Sequence, residues 1–188
     1  MAPRINFAFI TFLITALTYG QQVNKTKQYI PDVSILNISL LDTTNIISVF
    51  GEDVMSSLHG KIIKKTSFLN QEQNEVMEVV FYSGSYLNEF SKFSVSKQKN
   101  GYNIPKVKFK NFVTESGIKL GINKKALISL KGKPTSIRTF NSTEVYEYMI
   151  DNYDTSSFLK KYKMPIYRAE YYFENSTLVQ FDFGFDYP

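Results

Sequence analysis

From residue 33 onward the chain mostly alternates apolar and polar positions with a period of two, the signature of half-buried strands. Ser34–Leu41 mixes that alternation with an apolar finish. Glu75–Tyr82 and Leu87–Val95 are rich in β-branched and aromatic residues, and Ser83-Gly84-Ser85 between them reads as a hairpin turn. Lys106–Phe112, Val145–Ile150, Tyr167–Phe173 and Leu178–Phe183 are strand-like too, with Asn175-Ser176 as the turn between the last two. Lys97–Gly101, a charge run ending in Asn-Gly, reads as a linker.

Two segments break this pattern and resemble each other: Leu41–Gly51 and Ile122–Gly132. In each, an apolar residue precedes Asp42 or Asn123, whose side-chain oxygen can cap a helix. About two turns follow, with Ile46, Ile47 and Val49 matching Leu127, Ile128 and Leu130 on the buried side. Each ends at a glycine, Gly51 or Gly132, suited to the left-handed position that terminates helices. Pro134 reinforces the second stop. A competing register pairs Ser57–Lys61 with Ser129–Lys133. The capping chemistry favours the first, which gives each half a short helix followed by strands. The expected architecture is α+β: two tandem units of a short helix packed on a three- to four-stranded antiparallel sheet, residues 33–96 and 102–188 around a linker at 97–101.

The N-terminus changes the compartment. Arg4, an apolar run from Ile5 to Leu17 and small residues up to Gly20 predict a cleavable signal peptide over 1–20. The run is shorter than a membrane span needs. Residues 21–32 then read as a flexible leader. Arg4 is the sole charge in 1–20, so its loss lowers the whole-chain balance of 22 Lys+Arg against 17 Asp+Glu from +5 to +4. Lysines are scattered, which does not argue for nucleic acid. Without cysteine the chain carries no disulfide and no lipoprotein acylation site. The expected product is exported, periplasmic or secreted and soluble, with no membrane insertion. Abundant Asn, Lys, Ile, Tyr and Phe beside sparse Ala and Gly read as codon bias of an AT-rich genome.

Candidate chemistry is thin. The one histidine, His59, sits beside a turn glycine, and no nucleophile-elbow pattern surrounds any serine. Clustered His and Cys ligands for zinc are absent, and Asp151–Thr155 lacks the glycine and closing glutamate of a calcium loop. No phosphate-binding glycine loop occurs, so no catalytic residue, metal or cofactor is expected. Glu170, Glu174, Asp182 and Asp186 lie on or near the last strands. They could run glycoside hydrolysis across a cleft, or be the polar half of exposed strands. Aromatic density near the C-terminus reads as strand core or as a binding face. Tyr146, Tyr148, Tyr171 and Tyr172 are the candidate anchors. Neighbours Tyr171 and Tyr172 must point to opposite faces of any strand. Asn-x-Ser/Thr sequons stand at Asn24, Asn37, Asn141 and Asn175.

Gly121, Asn123, Leu127, Gly132 and Pro134 fall at a spacing that resembles the SmpA/OmlA outer-membrane-assembly lipoproteins and the β-lactamase-inhibitor-protein-like fold. In that family a short helix ending in Gly-x-Pro precedes an aromatic-x-aromatic strand, here Tyr146-Glu147-Tyr148. A strand like Tyr171–Phe173, a turn and a closing strand like Leu178–Phe183 follow. Glu115–Gly121 resembles uncharacterised exported proteins of AT-rich Gram-negative bacteria. The good match covers residues 115–183. The first half matches by its helix, with Asp53 in place of Pro134. The resemblance implies the repeated fold and action through protein surfaces. With neither the lipoprotein cysteine nor the inhibitors' disulfides present, it carries over neither anchoring nor inhibition. The expected function is a non-enzymatic exported binding protein of the bacterial envelope whose partner is another envelope or extracellular protein. The alternatives are a small glycan-acting hydrolase and a small outer-membrane β-barrel.

Overall fold

The computed structural model describes residues 29–42, 46–51, 65–81, 90–98 and 104–186. In chain order the elements are β1 (Ser34–Ile35), β2 (Ile38–Ser39), α1 (Ile46–Phe50), β3 (Lys65–Leu69), β4 (Glu75–Phe81) and β5 (Phe90–Lys97). Then come α2 (Lys124–Lys131), β6 (Ser136–Phe140), β7 (Thr143–Ile150), α3 (Ser157–Tyr162), β8 (Ile166–Glu174) and β9 (Thr177–Asp186). Among the described residues, seven strands form one antiparallel sheet in the order β3-β4-β5-β9-β8-β7-β6, and β1-β2 is a separate hairpin. The strands of the two chain halves meet where β5 pairs with β9, from Lys92↔Gly184 to Ser96↔Gln180.

Alternation builds the sheet. In β8, Tyr167, Ala169, Tyr171 and Phe173 are buried while Arg168, Glu170 and Tyr172 are half-exposed. Phe181, Phe183 and Phe185 of β9, with Phe93 and Val95 of β5 and Met77 and Val79 of β4, continue the same buried face. Each such side chain contributes about 1.5–3 kcal/mol on burial. Phe50 of α1, Leu127 of α2, Leu159 of α3, the hairpin residues Ile35 and Ile38, and Val107, Phe112 and Ile118 complete one core. The three helices and the irregular segment 104–122 thus cover one face of the sheet.

Local chemistry sets the boundaries. Asn123 Oδ1 accepts from Ala126 N at 2.9 Å to start α2. Gly132, at φ 81° and ψ −164°, ends it. That conformation is open in practice to glycine alone. Eight residues make a marginal helix in isolation, so the caps and Leu127 hold it. Hairpins β6–β7 and β8–β9 turn on Asn141-Ser142 (φ 49° and 65°) and Asn175-Ser176 (φ 47° and 62°). Positive φ at both central residues matches the right-handed strand twist. Three sequon asparagines, Asn37, Asn141 and Asn175, therefore sit exposed at two-residue turns, where left-handed backbone favours asparagine.

The structure corrects three expectations. Ser34–Leu41 is not one strand: Leu36 and Asn37 take φ 52° and 67° and fold it into the β1–β2 hairpin. Lys106–Phe112 is not a strand beyond one parallel bridge, Leu69↔Lys106. Its alternation turns Val107 and Phe109 inward beside β3, and Phe112 is buried out of that phase. The segment's backbone is held partly by main-chain bonds, Val107 N to Leu69 O at 2.9 Å and Gln71 N to Phe109 O at 2.7 Å, and partly by side chains: Asn70 Nδ2 donates to Lys110 O at 2.7 Å, and Phe112 N donates to Glu75 Oε2 at 2.9 Å. Tyr29 and Asp32, expected at the end of a flexible leader, are packed into the core. Periodicity did not mark β3, β6 or α3. The last is capped by Ser156 Oγ, which accepts from Leu159 N at 3.2 Å. Gly51 follows α1 at φ 82°, whereas the expected helix start after Asp42 falls at residues 43–45, outside the described residues. The signal peptide, His59, the Ser83–Ser85 turn and most of the 97–101 linker lie outside them as well.

Candidate functional site: the open face of the sheet

Side chains pointing away from the core form rows across the strands. Cross-strand register places Glu78, Ser94, Asp182, Glu170 and Glu147 in one row over β4, β5, β9, β8 and β7. Gln180, Tyr172, Val145 and Arg138 form the row on one side, and Lys92, Gly184, Arg168 and Met149 the row on the other. Carboxylates directly opposite each other, as Asp182↔Glu170 and Glu170↔Glu147 are, repel. The neighbouring rows answer that repulsion. The Arg138 guanidinium contacts Glu147 Oε2 at 3.2 Å and also pairs with Glu170 Oε1. Tyr172 OH donates to Glu170 Oε2 at 2.9 Å, and Gln180 Nε2 donates to both Asp182 oxygens at 3.3 and 3.1 Å. Tyr172 is thereby held in one orientation. Together with Thr143, Glu174, Val179, Gln180, Ser96 and Lys97 it lines a depression of ≈ 220 Å³.

Burial raises the Asp182 carboxyl above the usual aspartate value, against hydrogen bonds from Ser94 and Gln180 and the charge of Lys92 that lower it. Burial, and then the Asp182 charge, push the Tyr172 phenol up. A carboxyl raised in the folded state binds more protons there than in the unfolded chain. Its stabilising contribution is therefore present at low pH and lost as pH rises through the folded value. Asp182→Asn is expected to raise the thermal midpoint at pH 7, with the gain vanishing towards about pH 4, where aspartate protonates anyway. Calorimetry across that range is the check, and a lower midpoint at pH 7 would contradict it.

Of the four candidate tyrosines, one faces outward. Tyr148 and Tyr171 are wholly buried and Tyr146 nearly so, all on the core side. Tyr148 OH donates to Gly132 O at 2.8 Å, tying β7 to the end of α2. Tyr171 stands edge-on to Tyr148 with centroids 5.6 Å apart. Side chains this deeply buried serve the core, which leaves Tyr172 as the one of the four on the open face. Sequence reasoning missed Arg138 and Glu147, because only the strand register shows which polar residues share a row. It also missed β6 as a sheet edge, where Ile137 and Phe140 are 54% and 63% exposed.

A second polar constellation lies on the covered face. Asp32 and Lys131 are both 0% exposed and paired, Lys131 Nζ to Asp32 Oδ2 at 2.6 Å. Lys131 Nζ also donates to Ile30 O at 2.8 Å, and Tyr167 OH donates to Asp32 O at 2.6 Å. Burial holds the phenols of Tyr29, Tyr167 and Tyr171 above their ordinary value, so all three stay neutral, and Tyr171 OH joins Tyr167 OH in donating to Asp32, to Oδ2 at 3.5 Å. The partners stand 99 residues apart, which leaves no local signal. Among the described residues no three acids or histidines converge as metal ligands do, and no helix is long and apolar enough to cross a membrane. Comparison with protein families, curated proteins and solved structures finds no match for the chain.

Proposed function

We propose that this chain is a non-enzymatic, exported binding protein of the bacterial envelope that docks a partner protein on the open sheet face, with Tyr172 and Arg138 as anchors. In this reading the chain is two helix-plus-sheet units joined through β5 and β9, as the resemblance to the β-lactamase-inhibitor-protein-like fold implies. One observation carries it: Glu170 and Glu147 pair with Arg138, and Glu170 accepts from Tyr172 OH, on a face that no helix among the described residues covers. Tyrosine and arginine dominate binding energy at protein interfaces, and side chains already fixed lose less entropy on association. The acidic central row disfavours nucleic acid.

The test is affinity capture from envelope extract with the unaltered mature chain and with Tyr172→Ala. A partner retained by the first and weakened at least about tenfold by the second, with the thermal midpoint changed little, is the expected result. Equal recovery with both chains, or no recovery above background, overturns the reading.

A second reading rests on the carboxyl pair itself. Glu170 and Asp182 are directly opposed, Glu170 held by Arg138 and Asp182 raised by burial, an asymmetry that suits one acid and one base in glycoside hydrolysis. Turnover of a glycan that Glu170→Gln abolishes would establish it.

A further inference from the structure

We propose that Tyr29–Ser34 is a peptide ligand held in cis, and that the slot beneath it is a binding site for an extended segment with an aromatic residue and, three positions later, a carboxylate. The segment is gripped as a bound peptide would be. Tyr29 stacks on Tyr148 at 4.6 Å between centroids, Ile30 is exposed, and Asp32 enters the core. Pro31 keeps the residue before it extended. Lys131 reads side chain and backbone together, through Asp32 Oδ2 and Ile30 O. Tyr167 OH takes the Asp32 carbonyl, and Ser116 N donates to Asp32 Oδ1 at 3.3 Å. The Glu115 carboxylate accepts from Val33 N at 2.6 Å and Ser34 N at 2.5 Å, and from Ser34 Oγ.

Every one of these contacts comes from residues 115–167, which lie 81 to 135 positions along the chain from the residues they hold. The walls also have supports of their own. Tyr148 is tied to Gly132 and packed against Tyr171, and Glu115 leads the turn closed by Gly117 N donating to Thr114 O at 2.9 Å. The walls of the slot thus belong to the second half, while the segment that fills it is also tied to its own hairpin through Leu40 N donating to Val33 O at 2.7 Å. The slot opens on the covered face, away from Tyr172, so its test is independent of the proposed partner surface.

Hydrogen exchange of the unaltered full-length chain is the first measurement. Val33, Ser34 and Ser116 amides are expected to exchange through an opening that leaves β8 and β9 amides protected at least about tenfold longer. Exchange of both sets in one step would make the segment inseparable from the fold and overturn the proposal. The second uses full-length Asp32→Ala with a labelled peptide of residues 27–36. Saturable binding is expected, weakened at least about tenfold when the peptide carries asparagine for its aspartate, because a charge-assisted bond is lost. A folded variant that binds neither peptide overturns the proposal. If Asp32→Ala does not fold, the exchange result decides alone.

Discussion

Replacing Asp32 with alanine is expected to lower the unfolding free energy by about 3–5 kcal/mol. The residue reads as part of a polar leader, so sequence would rank the change as mild. In the folded chain it leaves the Lys131 ammonium at zero exposure without its carboxylate. Desolvation of a charge stripped of its counter-ion is the penalty, and it is far larger than the pair's own net worth. Domains of this size hold about 5–15 kcal/mol in all, so the variant should sit near the margin. Urea unfolding at neutral pH measures it. The double variant Asp32→Leu with Lys131→Met should recover most of the loss, because it removes both charges together. A single-variant loss under about 1 kcal/mol would contradict a dry ion pair.

Gly184→Ala is expected to cost about 3 kcal/mol, at the upper end of overpacking effects. A Cβ at Gly184 would lie 2.2 Å from Ser91 O and 2.6 Å from Lys92 Cα. Both are backbone atoms of β5, so no side-chain rotation relieves the clash. The position lies on the seam where the two groups of strands pair, and any shift would strain the Lys92↔Gly184 to Ser96↔Gln180 ladder. Gly117→Ala is the useful comparison. It has open space around its Cβ but stands at φ +87°, so it should cost about 1–2 kcal/mol through backbone conformation alone. Equal losses at the two sites would show that the close approach at β5–β9 is not there.

Period-two alternation located β4, β7, β8 and β9 because each has one buried face and one wet face. It passed over β6, an edge strand with little buried side chain, and over β3, which is short. It promoted Lys106–Phe112, since a segment that lays Val107 and Phe109 inward along a strand edge alternates over those few residues just as a paired strand does. The Asn123 and Gly132 positions were legible because caps are read from short-range chemistry, a side-chain oxygen three residues from its amide and a backbone angle that only glycine takes easily. Tyr171 and Tyr172 were known to oppose each other. Which of them faced the core was not.

What sequence alone determined about this protein is its local grammar: strands, the second helix with its caps, turns at Asn175-Ser176, and a chain without cysteine. Register, pairing and burial belong to the tertiary structure. The row of Glu147, Glu170 and Asp182, the outward face of Tyr172, and the union of Asp32 with Lys131 all join residues far apart in the chain. Strand alternation repeats every two residues and carries no label saying which strand lies beside which. A buried charge finds its partner only when the fold brings it near, because the cost of losing water is met in space and not along the sequence.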